Sequence, residues 1–276
     1  MQLSAVIDVL TAFAPLPLAE EWDNVGLLIG DRSQTVEKIL TCLTLTEDVA
    51  HEAVDQGVDL IVTHHPVLFR AVKRLTTDTP EGTMLLRLMR AGIAVYSPHT
   101  AFDSASGGIN FQISKAIGLE EIAPLRPVPE TELLESMPSK TVSTPSAGGG
   151  RFGRLPAPMS LSQLAEVVQQ QLRATMTQFV GNRERQVQRV AVACGAAAEY
   201  LKDARAANCD VLVTGEARFH YCLEARTIGV SLILPGHYAT ERPAVEALAM
   251  FLQTEFPDCK VWASRHETDP LQWQTY

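Results

Sequence analysis

The sequence predicts an α/β fold made of two related three-layer lobes. Segments of strand character alternate with segments of helical periodicity along most of the chain, a pattern typical of α/β proteins. The second half repeats the first, because aligning Val36 with Val187 also places Asp59 to Thr63 over Asp210 to Thr214 without a gap. Duplication explains this match, and chance similarity of valine-rich strands is the alternative. We expect the lobes to form one compact unit with a ligand site between them.

Each predicted element of the first lobe has a local cause. Ser4–Phe13 carries apolar residues at helical spacing, and Pro15 and Pro17 end it. Short β-branched runs then alternate with longer amphipathic stretches, which favour strands and helices respectively. These patterns predict a strand at Val36–Leu45, a helix at Glu47–Gln56, a strand at Leu60–Thr63, a helix at Gly82–Ala91 and a strand at Ile93–Ser97.

The second lobe is predicted to repeat this alternation after a connecting segment. Residues 124–154 contain several prolines and Gly148-Gly149-Gly150, a composition typical of a linker. The predicted domains are therefore a first lobe at 1–123, a linker at 124–154 and a second lobe at 155–276. The second lobe is predicted to contain strands at Val187–Cys194, Val211–Thr214, Val230–Leu234 and Lys260–Ala263, and helices at Ala197–Ala207, Ala217–Thr227 and Pro243–Thr254.

Composition limits the possible partners and compartments. The 276 residues are 46% hydrophobic and 20% charged, which suits a globular core, and the net charge of −9 opposes binding to nucleic acid. No apolar run is long enough for a membrane span. No Lys or Arg precedes Arg32, so the expected basic region of a signal peptide is absent from the start of the sequence. The five cysteines lack Cys-x-x-Cys spacing, which argues against a disulfide framework or a zinc knuckle. We therefore expect a cytoplasmic protein without membrane or nucleic-acid partners.

Histidines and carboxylates follow the ends of three predicted strands. Parallel strands present their carboxyl ends at one edge of a sheet, where βα loops carry functional side chains. Imidazole nitrogen and carboxylate oxygen suit zinc, manganese, iron, cobalt or nickel, and a carboxylate can bridge two such ions. The residues that follow strand ends are His64 and His65, then His99 and Asp103, and finally His237 and Glu241.

Structural interpretations of the same residues stay open at this point. The His64-His65 pair is also compatible with one buried, hydrogen-bonded imidazole and one exposed imidazole. Thr240 is a candidate N-cap for a helix with Pro243 in its first turn, so Glu241 is also compatible with a capping glutamate. The company of several ligand-type residues favours the metal interpretation over these alternatives.

Four separated motifs resemble the Nif-three-like family (NGG-one interacting factor three). Members of this family are often described as type-two GTP cyclohydrolase homologues. The motifs occur in the family's order and span nearly the whole chain. They are Glu21-Trp22-Asp23-Asn24-Val25-Gly26-Leu27-Leu28-Ile29-Gly30-Asp31, Thr63-His64-His65-Pro66, His99-Thr100-Ala101-Phe102-Asp103 and Gly236-His237-Tyr238-Ala239-Thr240-Glu241.

The resemblance implies a dinuclear metal centre between the lobes and a homohexameric ring with the metal sites facing its interior. It implies two divalent ions per chain, of zinc, iron, manganese, cobalt or nickel. His99 lies outside the implied ligand set and is the candidate general acid or base. The implied ligands are His64, His65, Asp103, His237 and Glu241, with Glu241 as the bridge.

The resemblance also sets the expected function and its alternatives. Ala101-Phe102 departs from the third motif, where relatives usually carry Asn and an aliphatic residue or Tyr, so substrate placement beside Asp103 stays open. We expect a metal-dependent hydrolase that acts on a nucleotide-like substrate, similar to a GTP cyclohydrolase. The alternatives are a non-catalytic metal-binding protein for storage, insertion or regulation, and an interaction scaffold with incidental metal.

Overall fold

The protein is described by a computed structural model that covers residues 1–129 and 147–274. The chain divides into two compact units, Met1–Phe102 with Ala244–Asp269 and Asp103–Pro243 with Pro270–Tyr276. The first unit contains a largely parallel sheet and the second a mixed sheet with a parallel centre, each packed with helices, which confirms the predicted α/β class.

The described elements follow one another in chain order. The first part contains α1 Leu3–Phe13, β1 Gly26–Ile29, β2 Lys38–Cys42, α2 Glu47–Gln56, β3 Leu60–Thr63, α3 Pro80–Arg90, β4 Ala94–Ser97, α4 His99–Ser104, α5 Ile109–Ala116, β5 Glu120–Ala123 and β6 Arg126–Pro127. After the gap come β7 Gly148–Gly149, β8 Arg151–Ser160, α6 Leu161–Gln171, β9 Gln178–Val180, β10 Gln186–Val192, α7 Leu201–Ala206, β11 Val211–Val213, α8 Phe219–Ile228, β12 Ser231–Leu234, α9 His237–Glu255 and β13 Lys260–Ala263.

Local sequence signals explain where several helices begin and end. The Thr46 side chain caps α2, and Gly57 ends that helix with a left-handed φ of 62° that glycine adopts without strain. Thr79 caps α3 next to Pro80 in the first turn. Ser160 and Gln163 form a reciprocal capping box at the start of α6.

The first unit is a five-stranded sheet with helices on both faces. Its strand order is β1-β4-β3-β2-β13, and only β1 runs antiparallel to its neighbour. One face packs against α2 and α3 through buried side chains such as Leu40, Ile61 and Leu85. On the opposite face, the Thr41 hydroxyl donates to the Val245 carbonyl of α9 at 3.0 Å. The core thus lies between the sheet and two helical layers.

The second unit is built on a six-stranded sheet with the order β5-β8-β10-β11-β12-β9. The central strands β10, β11 and β12 are parallel, and the outer strands pair antiparallel. Buried residues such as Leu212 and Leu232 pack against Leu201 of α7 and Ala225 of α8. This arrangement again places the carboxyl ends of three parallel strands at one edge.

The internal repeat extends to strand register and to a pair of equivalent side-chain hydrogen bonds. In the first unit Ile39 pairs with Leu60, and in the second Val190 pairs with Val211, which are the aligned positions of the repeat. Asp59 Oδ2 accepts from the amides of Glu37 and Lys38 at 2.8 and 2.9 Å. Its aligned counterpart Asp210 accepts from the amides of Gln188 and Arg189, both at 2.9 Å. These matches support duplication over chance similarity.

The carboxyl-terminal strand belongs to the first unit, whereas the sequence prediction places it in a second lobe at 155–276. Strand β13 pairs with β2 in parallel, with Lys260 opposite Lys38. The Glu267 carboxylate accepts from the amides of Leu43 and Thr44 at 2.8 and 2.6 Å. This strand therefore returns to the first sheet. The sequence prediction assigns segments to lobes in chain order, so it does not detect a pairing between residues so far apart in sequence.

Two other segments also differ from their predicted structure. The composition of 124–154 predicts a linker, but its described part includes β6, β7 and the start of β8. Residues 130–146 of the predicted linker lie outside the described residues. Helix α9 begins at His237, earlier than Thr240, and Pro243 lies inside it. Thr240 is therefore not the N-cap, and its hydroxyl donates to the His237 carbonyl at 2.7 Å.

Within residues 1–129 and 147–274, no helix has the length and apolar character that a bilayer crossing requires. The described chain also contains no disulfide among its five cysteines, as the cysteine spacing predicts.

Candidate metal centre

Two adjacent imidazoles lie at the end of β3 in the first unit. The amides of His64 and His65 donate to the carbonyls of Cys42 and Leu43 at 2.9 and 2.8 Å, so the strand ladder continues into this pair. The ring centroids of His64 and His65 are 5.2 Å apart. His64 is only 3% exposed, and the Nδ1 of the half-buried His65 contacts the Thr44 hydroxyl at 2.7 Å. The backbone ladder thus fixes where both rings are placed.

His99 joins this pair from the start of α4. Its ring centroid lies 5.2 Å from that of His64 and 5.7 Å from that of His65. One ring nitrogen of each of the three histidines lies within 4.8 Å of the other two, so together they form an imidazole cluster that could hold a metal ion. His99 also has a φ of 25°, a strained backbone conformation for a residue with a Cβ, and such strain is found at functional sites.

Asp23 orients His99 and is itself strongly held. Its Oδ1 lies 2.7 Å from His99 Nδ1, and its Oδ2 accepts from the Thr100 amide at 3.1 Å and from the Thr100 hydroxyl. Burial opposes the charged carboxylate, but the hydrogen bonds from His99 and Thr100 outweigh it and lower the pKa of Asp23 to about 2. An ionised carboxylate only accepts, so Nδ1 carries a proton and Nε2 of the neutral ring is the acceptor.

In the second unit, His237 and Glu241 lie at the beginning of α9, just after β12. His237 Nε2 is 3.0 Å from Glu241 Oε2, and its Nδ1 is 3.0 Å from Glu216 Oε1. Glu241 is 3% exposed. Burial disfavours the charged form of His237, but the hydrogen bonds and charges of Glu241 and Glu216 dominate and raise its pKa to about 9. His237 is thus a cation held between the Glu216 and Glu241 carboxylates, and it must release a proton before it can bind a metal ion.

Gly195, at the loop after β10, leaves room for the Glu241 carboxylate. A Cβ at this position would collide with Glu241 Oε1 and lie 3.4 Å from His237 Nε2. Gly195 also has a φ of 64°, which disfavours residues with side chains. The Thr240 hydroxyl accepts from the Gly195 amide at 3.1 Å. The loop after β10 therefore forms a cradle for the two side chains of α9.

Asp103 is held in the second unit by a cysteine and an asparagine. The Cys194 thiol donates to Asp103 Oδ1 at 3.1 Å. Buried Asn110 donates to the Asp103 carbonyl at 3.1 Å and accepts from the Cys194 amide at 2.7 Å. Burial first, and then the charges of Asp103 and Glu241, raise the pKa of Cys194 well above its ordinary value, so the thiol stays protonated. A protonated thiol is a donor, which fixes the orientation of the Asp103 carboxylate.

A buried arginine fixes the backbone that follows Asp103. Arg151 is 1% exposed, and its guanidinium donates to the carbonyls of Ser104 and Ala105 at 3.2 and 2.7 Å. The same group donates to the carbonyls of Gly148 and Gly150. Burial lowers the pKa of Arg151 to about 10. These hydrogen bonds tie the end of α4 to β7 and β8.

A cavity of about 490 Å³ opens at the same edge of the second unit. Its lining includes Glu199, Glu216, Arg218 and Tyr221, so it offers carboxylates, a guanidinium and an aromatic ring. Glu216 both lines this cavity and contacts His237. A cavity of this size and polarity can take a small ligand.

The structure thus groups the sequence-predicted residues within each unit. The first unit brings His64, His65 and His99 together, and the second holds Asp103 beside Cys194 and His237 beside Glu241. Imidazoles and carboxylates at such density, several of them buried, are chemically suited to divalent transition-metal ions.

Several contributors carry no predicted role in the sequence, among them Asp23, Cys194 and Glu216. Cys194 and Glu216 follow β10 and β11, so the criterion that selects His64 and His237 could have found them. Asp23 lies within a motif of the sequence, but its contact with His99 joins residues 76 positions apart.

Parallel strands that end in histidines and carboxylates give an α/β protein whose clustered side chains could hold a metal ion. The sequence profile of Duf34/NIF3 (NGG1p interacting factor 3) matches residues 1–270. The chain therefore belongs to the Duf34/NIF3 family.

Relatives and solved structures agree with this assignment. The chain is 34% identical to NIF3-like protein 1 of Drosophila melanogaster, over 98% of this chain and 88% of the relative. It is 30% identical to the GTP cyclohydrolase 1 type 2 homolog of Clostridium acetobutylicum, over 99% of each chain. The crystal structure of a Staphylococcus aureus hypothetical protein is similar at 28% identity with a TM-score of 0.86, over 99% of each chain.

Proposed function

We propose that this protein is a metal-dependent hydrolase that uses two divalent ions on a nucleotide-like substrate. The ions would be zinc, iron, manganese, cobalt or nickel, which imidazole and carboxylate ligands suit. Relatives named GTP cyclohydrolase 1 type 2 homolog support a nucleotide-like substrate. The proposed ligands are His64, His65, Asp103, His237 and Glu241.

The imidazole cluster is the observation that carries this proposal. Three histidines with ring nitrogens within 4.8 Å of one another, one of them 3% exposed, are poorly explained as packing residues. Three ring nitrogens that converge in this way form a ligand set that a divalent ion can bind. When bound, divalent ions supply Lewis acidity and lower the pKa of water.

His99 is the proposed general acid or base. Asp23 contacts His99 Nδ1, which leaves Nε2 as the atom that can accept or return a proton. The buried carboxylate stabilises the protonated ring that forms when Nε2 accepts a proton. Because one ring nitrogen of His99 lies within the imidazole cluster, His99 is an alternative ligand of the first unit.

The second unit would contribute carboxylates and room for the substrate. Gly195 and Thr240 position Glu241, and Cys194 positions Asp103. The cavity beside Glu216 offers Arg218 for an anionic group such as a phosphate.

Metal content and turnover, measured on the same preparation, test the proposal. Protein purified without added metal is analysed for elements, reconstituted with each candidate ion, and assayed for product release from GTP and other nucleotides. Metal-dependent turnover that is lost in His99→Gln but not in Glu166→Gln, a change at an exposed residue of α6, supports a hydrolase. Bound metal without turnover of any nucleotide would overturn the hydrolase proposal and indicate a storage, insertion or regulatory protein.

We also propose a homohexamer, on the ground of family membership. Sedimentation equilibrium tests this assembly, and a monomer or dimer at all concentrations would contradict it. Cytoplasmic residence stays a prediction from composition.

A further inference from the structure

Two exposed aromatic rings stand beside the imidazole cluster. Trp22 is 61% exposed and Phe69 is 47% exposed, although large apolar side chains of this kind are usually buried. Their ring centroids are 5.9 Å apart in an edge-to-face arrangement. Both rings also lie near His99, at 6.1 Å for Trp22 and 6.4 Å for Phe69. The first unit thus exposes aromatic surface next to its candidate catalytic histidine.

Hydrogen bonds to Thr100 anchor the chain on both sides of Trp22, through the Glu20 backbone and the Asp23 side chain. The Glu20 amide donates to the Thr100 hydroxyl at 3.0 Å, and Asp23 accepts from the Thr100 amide. The ring is therefore carried by a turn anchored to the start of α4, and its exposure is not the consequence of a loose loop.

The loop that carries Phe69 is joined to the same turn. Asn24 Nδ2 donates to the Leu68 carbonyl at 2.9 Å, which links a residue two positions after Trp22 to the residue before Phe69. Leu68 adopts a left-handed φ of 56°, which is strained for a residue with a branched side chain. An exposed ring held at the cost of backbone strain indicates a binding role rather than a packing role.

We propose that Trp22 and Phe69 form an aromatic platform on which the planar heterocycle of the substrate stacks beside His99. Every nucleobase has a π-face, so such a platform binds nucleobase-type rings with little sequence preference. Rings whose positions are fixed before binding lose little conformational entropy, which favours this role. Charged residues flank both rings in sequence, Glu21 before Trp22 and Arg70 after Phe69, as suits a small polar ligand.

This inference rests on the proposed function for the reaction, but stacking can be measured without turnover. Equilibrium dialysis compares guanosine monophosphate, adenosine monophosphate and ribose 5-phosphate, which lacks the heterocycle. The proteins are the wild type, Trp22→Ala, Trp22→Phe and Phe69→Ala. Phe219→Ala is the matched control, because Phe219 is an exposed aromatic residue of the second unit at 72% exposure. Metal content and sedimentation are recorded for each sample.

We expect Trp22→Ala and Phe69→Ala to weaken binding of both nucleotides about tenfold, as loss of a base-stacking ring does. Trp22→Phe keeps a ring and should retain most of the affinity, while ribose 5-phosphate should bind all variants equally. Unchanged nucleotide affinity in both alanine variants would overturn the platform. A change in sedimentation without a change in nucleotide affinity would also overturn the platform, because it would identify the rings as a contact between subunits.

Metal content separates this inference from the proposed function. The platform variants keep every proposed ligand, so their metal-to-protein ratio should equal that of the wild type. If the wild type binds no metal but does bind nucleotides, and Trp22→Ala weakens that binding, the metal-dependent hydrolase is refuted and the platform is supported.

Discussion

Replacing Asp23 by asparagine should destabilise the protein at neutral pH and remove one source of its acid sensitivity. The Asp23 side chain is fully buried and accepts hydrogen bonds from His99 and Thr100. A pKa lowered from 3.8 to about 2 corresponds to about 2.5 kcal/mol of stability at pH 7. Asparagine keeps the shape of the side chain but carries no charge, so this contribution should be lost.

The sign of the pH dependence follows from the direction of the shift. Because the folded-state pKa of Asp23 is the lower one, its stabilisation is fully present above the unfolded value of 3.8 and disappears as the pH falls through about 2. The wild type and Asp23→Asn should therefore differ most at neutral pH and converge in acid. Thermal melts at pH 7 should show a lowering of Tm by about 5 °C in the variant.

Asp31 provides the matched control for this experiment. Its pKa is also lowered, by hydrogen bonds from the Ser33 amide and hydroxyl, but the group is fully exposed. Asp31→Asn should leave the Tm unchanged, since water screens such groups. Equal Tm values for wild type and Asp23→Asn at pH 7, or a difference that persists at pH 2, would refute the role assigned to the Asp23–His99 contact.

Three further variants test the second unit. Gly195→Ala should displace the Glu241 carboxylate and lower bound metal in elemental analysis while the far-ultraviolet circular dichroism stays native; normal metal content would contradict the cradle. Cys194→Ala should weaken metal affinity about tenfold in chelator competition, because partners that orient a ligand support its binding of metal. Cys194→Ser keeps a donor and should restore the affinity. Equal losses in both variants would exclude a role for donation to the Asp103 carboxylate. Arg151→Met should lower the free energy of unfolding in urea by about 3 kcal/mol or more, because buried carbonyls lose their donors, whereas exposed Arg154→Ala should have little effect.

The repeated core of the fold could be predicted because its signals are local. Short β-branched strands and amphipathic helices identify β2, β3 and β4 and their counterparts β10, β11 and β12. The strand register is the same in both copies at the aligned positions, since Ile39 pairs with Leu60 as Val190 pairs with Val211. In these strands the structure favoured by the local sequence is the one that tertiary pairing stabilises.

Other parts of the fold depend on contacts that local patterns do not contain. Strand β8 has prolines at 156 and 158, which indicate a loop, but both are exposed and lie where the register with β10 is interrupted between Val187 and Arg189. The return of β13 to β2 joins Lys260 to Lys38 across most of the chain. Helix α9 accommodates Pro243 in its interior, so a proline did not mark its start.

The candidate site was predictable where its residues follow strand ends and not where they act through other side chains. His64, His65 and His99 follow β3 and β4, and the structure groups them. The sequence placed His99 outside the ligands by resemblance alone, and its position within the imidazole cluster needs the coordinates. The supporting contact of Asp23 is long-range in sequence, and hydrogen bonds of this kind have no local pattern.

Metal stoichiometry in matched variants tests the central claim most directly. Elemental analysis after reconstitution and desalting should give about two divalent ions per chain for the wild type and a sharply lower ratio for Glu241→Ala, because this buried carboxylate is the proposed bridge. Exposed Glu199→Ala is the control and should match the wild type. No bound ion in the wild type, or the same ratio in wild type and Glu241→Ala, would contradict a dinuclear centre built on these residues.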